Sequence, residues 1–488
     1  MKPWWALGLA LLAGVALVRL PLLWAGALLG GTAVLILSII QPLFAMGLAL
    51  LLAPFGAYEA RAFTASPLDS GQLFFFFTLA LWLARGMRQR RIVLPKTPLT
   101  VPLLLFIYIT LITLLDAPSL AFGLKEVAKW VEMLLLIWLA LDLTADLPPR
   151  RAPWILFGML ALAALGQGLF GIYQFVWRGE APEHFMVLGR FYRAFGTFDQ
   201  PNPYGGYMNL TAMLSLGALV GVVSNQWSVV SGQWRKLFTA YWLLLTDHWI
   251  LMTGLVTAVT LTGVLVSWSR GAWLGLVGGT AVLVLFLPRK RWQGAALLLA
   301  AGVALGGLLL VGTYFNRLPA GVMERITSGF TQDLSMTDVR GVDITDTNFA
   351  VVERLAHWQA ALGMARDNLW LGVGFGNYEP VYPDYRLINW AAPLGHAHNY
   401  YLNLLAETGV LGLAAYVLFW TAVFWQNIVL LRRLNWPQRG LALGLLAAWT
   451  ALAVHQLVDK LYVNNIYIHL GVMLGLQQVL FREVKRDA

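Results

Sequence analysis

The chain has 488 residues, of which 59% are hydrophobic and 12% charged, with 22 Trp and no Cys. A soluble domain carries about twice that share of charge, so the composition argues against a water-facing globule and for lipid-facing helices. The lack of Cys removes disulfides, thiolate nucleophiles, iron–sulfur clusters and Cys-bound zinc. The net charge of +10 sits in short clusters between apolar runs, a pattern of membrane topology that argues against nucleic-acid binding.

A membrane-spanning helix needs about 20 apolar residues. The chain opens Met1-Lys2 and then runs apolar. No small-residue cleavage site with a polar continuation follows, so this run reads as an uncleaved first span. Spans are expected near 4–20, 21–39, 40–55, 72–88, 98–115, 127–146, 153–176, 204–224, 245–267, 271–288, 293–314, 399–427, 438–457 and 461–481. They number about fourteen, with twelve also compatible because the first three are poorly separated. The fold class is therefore all-α, a polytopic transmembrane helical bundle.

Basic residues set the expected orientation. Clusters at Arg85–Arg91, Arg150-Arg151, Arg235-Lys236, Arg289–Arg291, Arg432-Arg433 and Arg482–Arg486 fall in loops that alternate onto one side. That side should be cytoplasmic, with both termini on it. Two polar loops, 177–203 and 315–397, then lie on the outer side. The second is far longer than a connection requires, and its aromatic content argues against disorder. Val351, Leu355, Trp358 and Leu362 recur at helical spacing over 350–366, and Gly372, Gly374 and Gly376 mark a turn. The organisation is 1–150 for N-terminal spans, 151–314 for core spans, 315–397 for the long loop, and 398–488 for C-terminal spans and tail.

The polar residues suited to chemistry map to the outer side. Arg190, Arg193 and Asn202 lie where the first loop re-enters the membrane; guanidinium groups there either fork onto phosphate oxygens or anchor in headgroups. Arg270, in SWSRGAW, sits between two spans with almost no loop, where a charge is costly unless paired or functional. Arg354 stands on the amphipathic helix. In GHAHNYYLNLLAETGVLGL, residues 395–413, His398 and Asn399 open a span; a histidine can take a proton from a hydroxyl. Gly409-x-x-Gly412 allows close helix packing, and Glu407 is read as structural. His396-x-His398 has no third metal ligand nearby in the sequence, so no metal is expected. His455, Asp459 and Lys460 form a further set, in which Asp459 can orient a histidine or pair with an arginine, a structural pairing being the favoured reading.

The set R-x-x-G-T-F-x-x-P-N at 193–202, S-R-G-A at 269–272, R-x-x-x-W followed by G-V-G-x-G-N-Y over 354–378, and H-N-x-x-L-x-x-L-A-E-T-G at 398–409 resembles the O-antigen ligase and O-antigen polymerase superfamily of bacterial membrane glycosyltransferases. The resemblance spans roughly 150–480. It implies a helical membrane fold of the lipid-sugar-dependent glycosyltransferase type. It also implies transfer of a glycan from an undecaprenyl-pyrophosphate carrier, at the outer face of the inner membrane, to a glycan or lipid acceptor. Such transfer inverts the anomeric centre without metal or cofactor. Carried onto this sequence, His398 is the base, and Arg193, Arg270 and Arg354 hold the pyrophosphate. Asn202 and Asn399 position partners, and Arg190 and Tyr378 are further substrate-binding candidates. Other readings are a polymerase of lipid-linked repeat units, a transporter of the bicarbonate-transporter-like branch, and a scaffold.

Overall fold

The computed structural model describes residue 14 and residues 20–62, 68–90, 94–179, 181–230, 248–314, 338–345 and 348–486. The expected span near 4–20 falls almost wholly outside them, as do Arg91, Arg235, Lys236, Arg317, Arg325 and Asp346. The described chain is helical apart from a two-stranded hairpin, β1 (Met186–Val187) with β2 (Phe191–Tyr192).

The helices follow the apolar runs. They are α1 (Leu22–Ile40), α2 (Pro42–Leu52), α3 (Gly56–Ala62), α4 (Ser70–Arg88), α5 (Thr100–Ile112), α6 (Leu120–Leu143), α7 (Ala152–Tyr173) and α8 (Pro201–Val230). Then come α9 (His248–Val266), α10 (Arg270–Phe286), α11 (Arg291–Tyr314), α12 (Phe349–Asp367), α13 (Tyr378–Tyr385), α14 (Tyr400–Arg433), α15 (Gln438–His455) and α16 (Ile466–Arg486). Among the described residues, seven helices are long and apolar enough to cross a membrane. Of these, α1 and α11 keep their apolar side chains almost wholly exposed, which is stable only against lipid. The chain is an all-α polytopic membrane protein.

The centre of the bundle is α8 against α15. Gly217 and Gly221 on α8 meet Gly440 and Gly444 on α15 so closely that a Cβ on Gly217 would lie 2.3 Å from Gly444 Cα. Small residues let membrane helices approach backbone to backbone. Buried amides add polar ties between α14 and α16: Gln426 with Gln478, and Asn427 with Gln477.

The bundle has two chemically distinct ends. Arg439 at the start of α15 donates to the carbonyls of Phe286 and Leu287 at the end of α10. Arg150 and Arg151 share a cavity with Pro437, and Arg85, Lys96 and Arg482 share another. The opposite ends of the same helices, Arg270 on α10, Asn399 before α14 and His455 on α15, define the other pole.

Two local readings of the sequence gain detail. The amphipathic helix forms as α12: Leu355 is buried with Val351 and Trp358 packed beside it, and the buried surface extends round the helix through Val352, Ala356, Ala360 and Met364. Gly409 does admit a close neighbour, yet that neighbour is a turn. The backbone of α14 breaks there (φ 61°, ψ −165°). The segment 369–374 crosses the break, with Val373 N donating to Ala406 O at 2.9 Å and Val410 N to Leu369 O at 2.9 Å. Broken helix backbone inside a membrane fold needs such substitute partners.

Candidate active site

The pole opposite the basic clusters is built from three segments. The loop before α14 supplies His396, His398 and Asn399. Asn399 caps α14, accepting from Tyr401 N at 3.0 Å and Leu402 N at 3.2 Å; its carboxamide is thereby committed to the helix N-terminus. Tyr400 N donates to Gln456 O at 2.8 Å, which ties this loop to the one after α15. That second loop brings in Asp459. The third segment is α12, whose Arg354 and His357 are three residues apart and so share a face.

These groups converge. His396 Nε2 lies 2.9 Å from Asp459 Oδ1, and His398 Nδ1 lies 4.0 Å from the same oxygen. The His398 ring stands edge-on to His357 at 5.7 Å and 4.5 Å from His396. Neither His398 nitrogen has a hydrogen-bond partner in the protein. Its backbone is left-handed, φ 52°, an uncommon state for a non-glycine residue that tends to mark functional sites. His357 is held from behind, with Nδ1 2.9 Å from the Tyr378 hydroxyl and its ring stacked on Tyr382.

Electrostatics follow from this crowding. Burial, His396, Arg354 and His357 together push His398 down to about 3, with Asp459 opposing. Burial takes His357 down to about 4. Burial alone would raise Asp459, but the contact with His396 first, and then the neighbouring His398 and His455, hold it well below the usual carboxylate range. The site thus presents a neutral imidazole beside a fixed carboxylate.

Arg270 opens α10 immediately after its cap Ser269, which accepts from Ala272 N at 3.4 Å. It lies within repulsive reach of Arg354, and Arg354 in turn of His398 and His455. Two guanidiniums and a helix N-terminus gathered together make an anion-binding field. Arg193 stands beside this group: its Nε donates to Ser267 O at 3.0 Å and its Nη2 to Asn202 Oδ1 at 3.0 Å. The rest of the 193–202 motif builds the loop under α8. Gln174 accepts from Gly196 N at 2.8 Å, and Thr197 Oγ1 donates to Pro54 O at 2.5 Å.

Residues 255–417 match the family model described as O-antigen ligase. The resemblance drawn from the motifs holds over that span, which contains Arg270, Arg354, Tyr378, His398 and Asn399. The match supports a membrane glycosyltransferase-type role. No curated protein matches the chain.

The other candidates are placed as follows. Tyr378 is fully buried and acts through His357, so any effect on substrate is indirect. Arg190 is exposed at the hairpin, 5.2 Å over the Phe191 ring. Glu407 accepts from Tyr378 N at 3.1 Å and so holds the glycine turn to α14. For Asp459 the sequence leaves open orienting a histidine or pairing with an arginine and favours a structural pairing; its partner is His396. It lies 63 residues from His396 and in another loop, so spacing alone does not connect them. The one available signal was its place, with His455, at the end of a span.

Proposed function

We propose that the chain is an O-antigen ligase-like inverting glycosyltransferase using an undecaprenyl-pyrophosphate-linked glycan as donor and a hydroxyl on a glycan or lipid as acceptor. The basic pole faces the cytoplasm and the histidine pole faces outward, at the outer surface of the inner membrane. The observation that carries this reading is the gathering of Arg270 and Arg354 beside His398, whose ring nitrogens have no hydrogen-bond partner in the protein.

In this scheme the diphosphate of the donor lies against Arg270 and Arg354, with Arg193 at the flank. His398 Nε2 accepts the proton of the acceptor hydroxyl. The new C1–O bond forms as the C1–O bond to the diphosphate breaks from the opposite side, and the electron pair leaves on phosphate. The arginines stabilise that charge as it develops, commonly the largest catalytic term. Burial makes His398 a weak base and Arg354 weakens it further; a bound diphosphate offsets the guanidinium charge and so strengthens the base. Asp459 stabilises the imidazolium once formed, as a carboxylate does beside a catalytic histidine.

The test is transfer from a lipid-pyrophosphate donor by purified protein. His398→Ala should abolish it in a variant that still folds, and undiminished transfer sinks the base assignment. Ligase and polymerase differ only in acceptor. Gene deletion separates them: loss of all long surface chains marks a ligase, and single-repeat chains mark a polymerase.

A further inference from the structure

His396 carries a hydrogen-bonding mismatch. Its Nδ1 lies 3.1 Å from the Leu394 carbonyl oxygen, and its Nε2 lies 2.9 Å from Asp459 Oδ1. Both partners are acceptors, whereas a neutral imidazole has a single N–H. If Nδ1–H goes to the carbonyl, the Nε2 lone pair and Asp459 Oδ1 are two donor atoms that a bound cation can share in place of the N–H···O contact. An imidazole N–H aimed at a backbone carbonyl is also how proteins orient a histidine that binds metal through its other nitrogen.

A third ligand is in place. His398 Nδ1 has no hydrogen-bond partner in the protein, and ligand atoms of His396, His398 and Asp459 all lie within 4.8 Å of one another. Zinc holds nitrogen and oxygen ligands at about 2.0–2.2 Å in a tetrahedron, so small side-chain movements close the three around an ion. Two imidazoles and one carboxylate suit Zn²⁺ or Co²⁺; Mg²⁺ and Ca²⁺ take oxygen ligands.

We propose that His396, His398 and Asp459 bind a zinc-class divalent cation, and that occupancy of this site switches glycosyl transfer off. A cation on His398 Nδ1 leaves the ring's one remaining proton on Nε2, so no lone pair faces the acceptor hydroxyl. It also draws Asp459 away from its role beside the imidazolium. The binding half stands on geometry alone; the inhibition half rests on the function proposed above.

The experiment uses the full chain in detergent, stripped with EDTA, at about pH 7.5, where histidine side chains are mostly neutral. Co²⁺ alone is added and the visible spectrum recorded; Zn²⁺ alone is titrated by calorimetry. The expected result is one saturable site with tetrahedral Co²⁺ bands, weakened about tenfold or more for Zn²⁺ by either His396→Gln or Asp459→Asn. Absence of a saturable site, or binding unchanged in both variants, overturns the site whatever the transfer assay shows. Transfer is then followed against Zn²⁺. It should fall as the site fills and return with EDTA. In His396→Gln the midpoint of inhibition, relative to that variant's own zinc-free rate, should rise about tenfold or more. Transfer unaffected or raised at saturating Zn²⁺ overturns the inhibition. Failure of zinc-free transfer counts against the enzymatic reading and leaves the metal site standing.

Discussion

Asp459→Asn is the most informative single change, because it removes a charge and keeps the shape. The carboxylate lies 4.0 Å from His398 Nδ1. In an effective dielectric of about 20, a full imidazolium at that distance gains about 4 kcal/mol from it. If the proton is about half transferred in the transition state, about 2 kcal/mol of that is felt there, which is about thirtyfold in rate. Donor affinity should change little, since the arginines carry the diphosphate. The assay is initial-rate transfer from a lipid-pyrophosphate donor across a donor series, with a detergent melting curve to confirm folding. A folded Asp459→Asn protein within about threefold of the parent rate would refute the reasoning, because an effect that small is what bulk-water screening at this distance gives and not a shielded site.

Arg354→Lys and Arg270→Lys keep the charge but lose the planar fork, so each should lower kcat/KM about tenfold or more in the same assay. Stability should fall in acid. His357 and His398 are held below the ordinary 6.5, to about 4 and about 3, so the unfolded chain takes protons that the folded chain refuses. The loss begins as pH drops below about 6.5 and reaches about 2 kcal/mol per histidine by about pH 5. His357→Gln should flatten the fall in melting temperature between those values, and an unchanged slope would contradict it. Gly372 and Gly395 both have positive φ, 68° and 75°, but a Cβ on Gly372 would lie 2.3 Å from Glu407 C while one on Gly395 meets only Glu379 Oε2 at 3.7 Å. Gly372→Ala should therefore abolish folded yield, whereas Gly395→Ala should cost about 1–3 kcal/mol and still purify.

By itself the sequence determined the membrane class, the helix positions and the residues of the ligase-like motifs. Apolar run length sets helices through the cost of unpaired backbone in lipid, and that rule is local. Hence each described helix from α1 to α11 and from α14 to α16, apart from the short α3, sits on an expected span. The same local logic placed a helix over 350–366 and a glycine turn after it. It could not show how far round α12 the burial extends, because Ala360 and Met364 are covered by α13 and α14 packing against them.

Only the tertiary structure decided the site. Arg270, Arg354 and His398 come from three segments whose meeting depends on how α10, α12 and α14 pack, which no spacing encodes. It also separated residues that share a motif. Asn399 stands next to His398 and caps a helix, whereas neither ring nitrogen of His398 has a hydrogen-bond partner in the protein. Asp459 shows the physical reason most plainly. A carboxylate's role is set by what lies within a few ångströms of it. Its neighbours there are His396 and His398, brought across from another loop by the hydrogen bond between Tyr400 and Gln456.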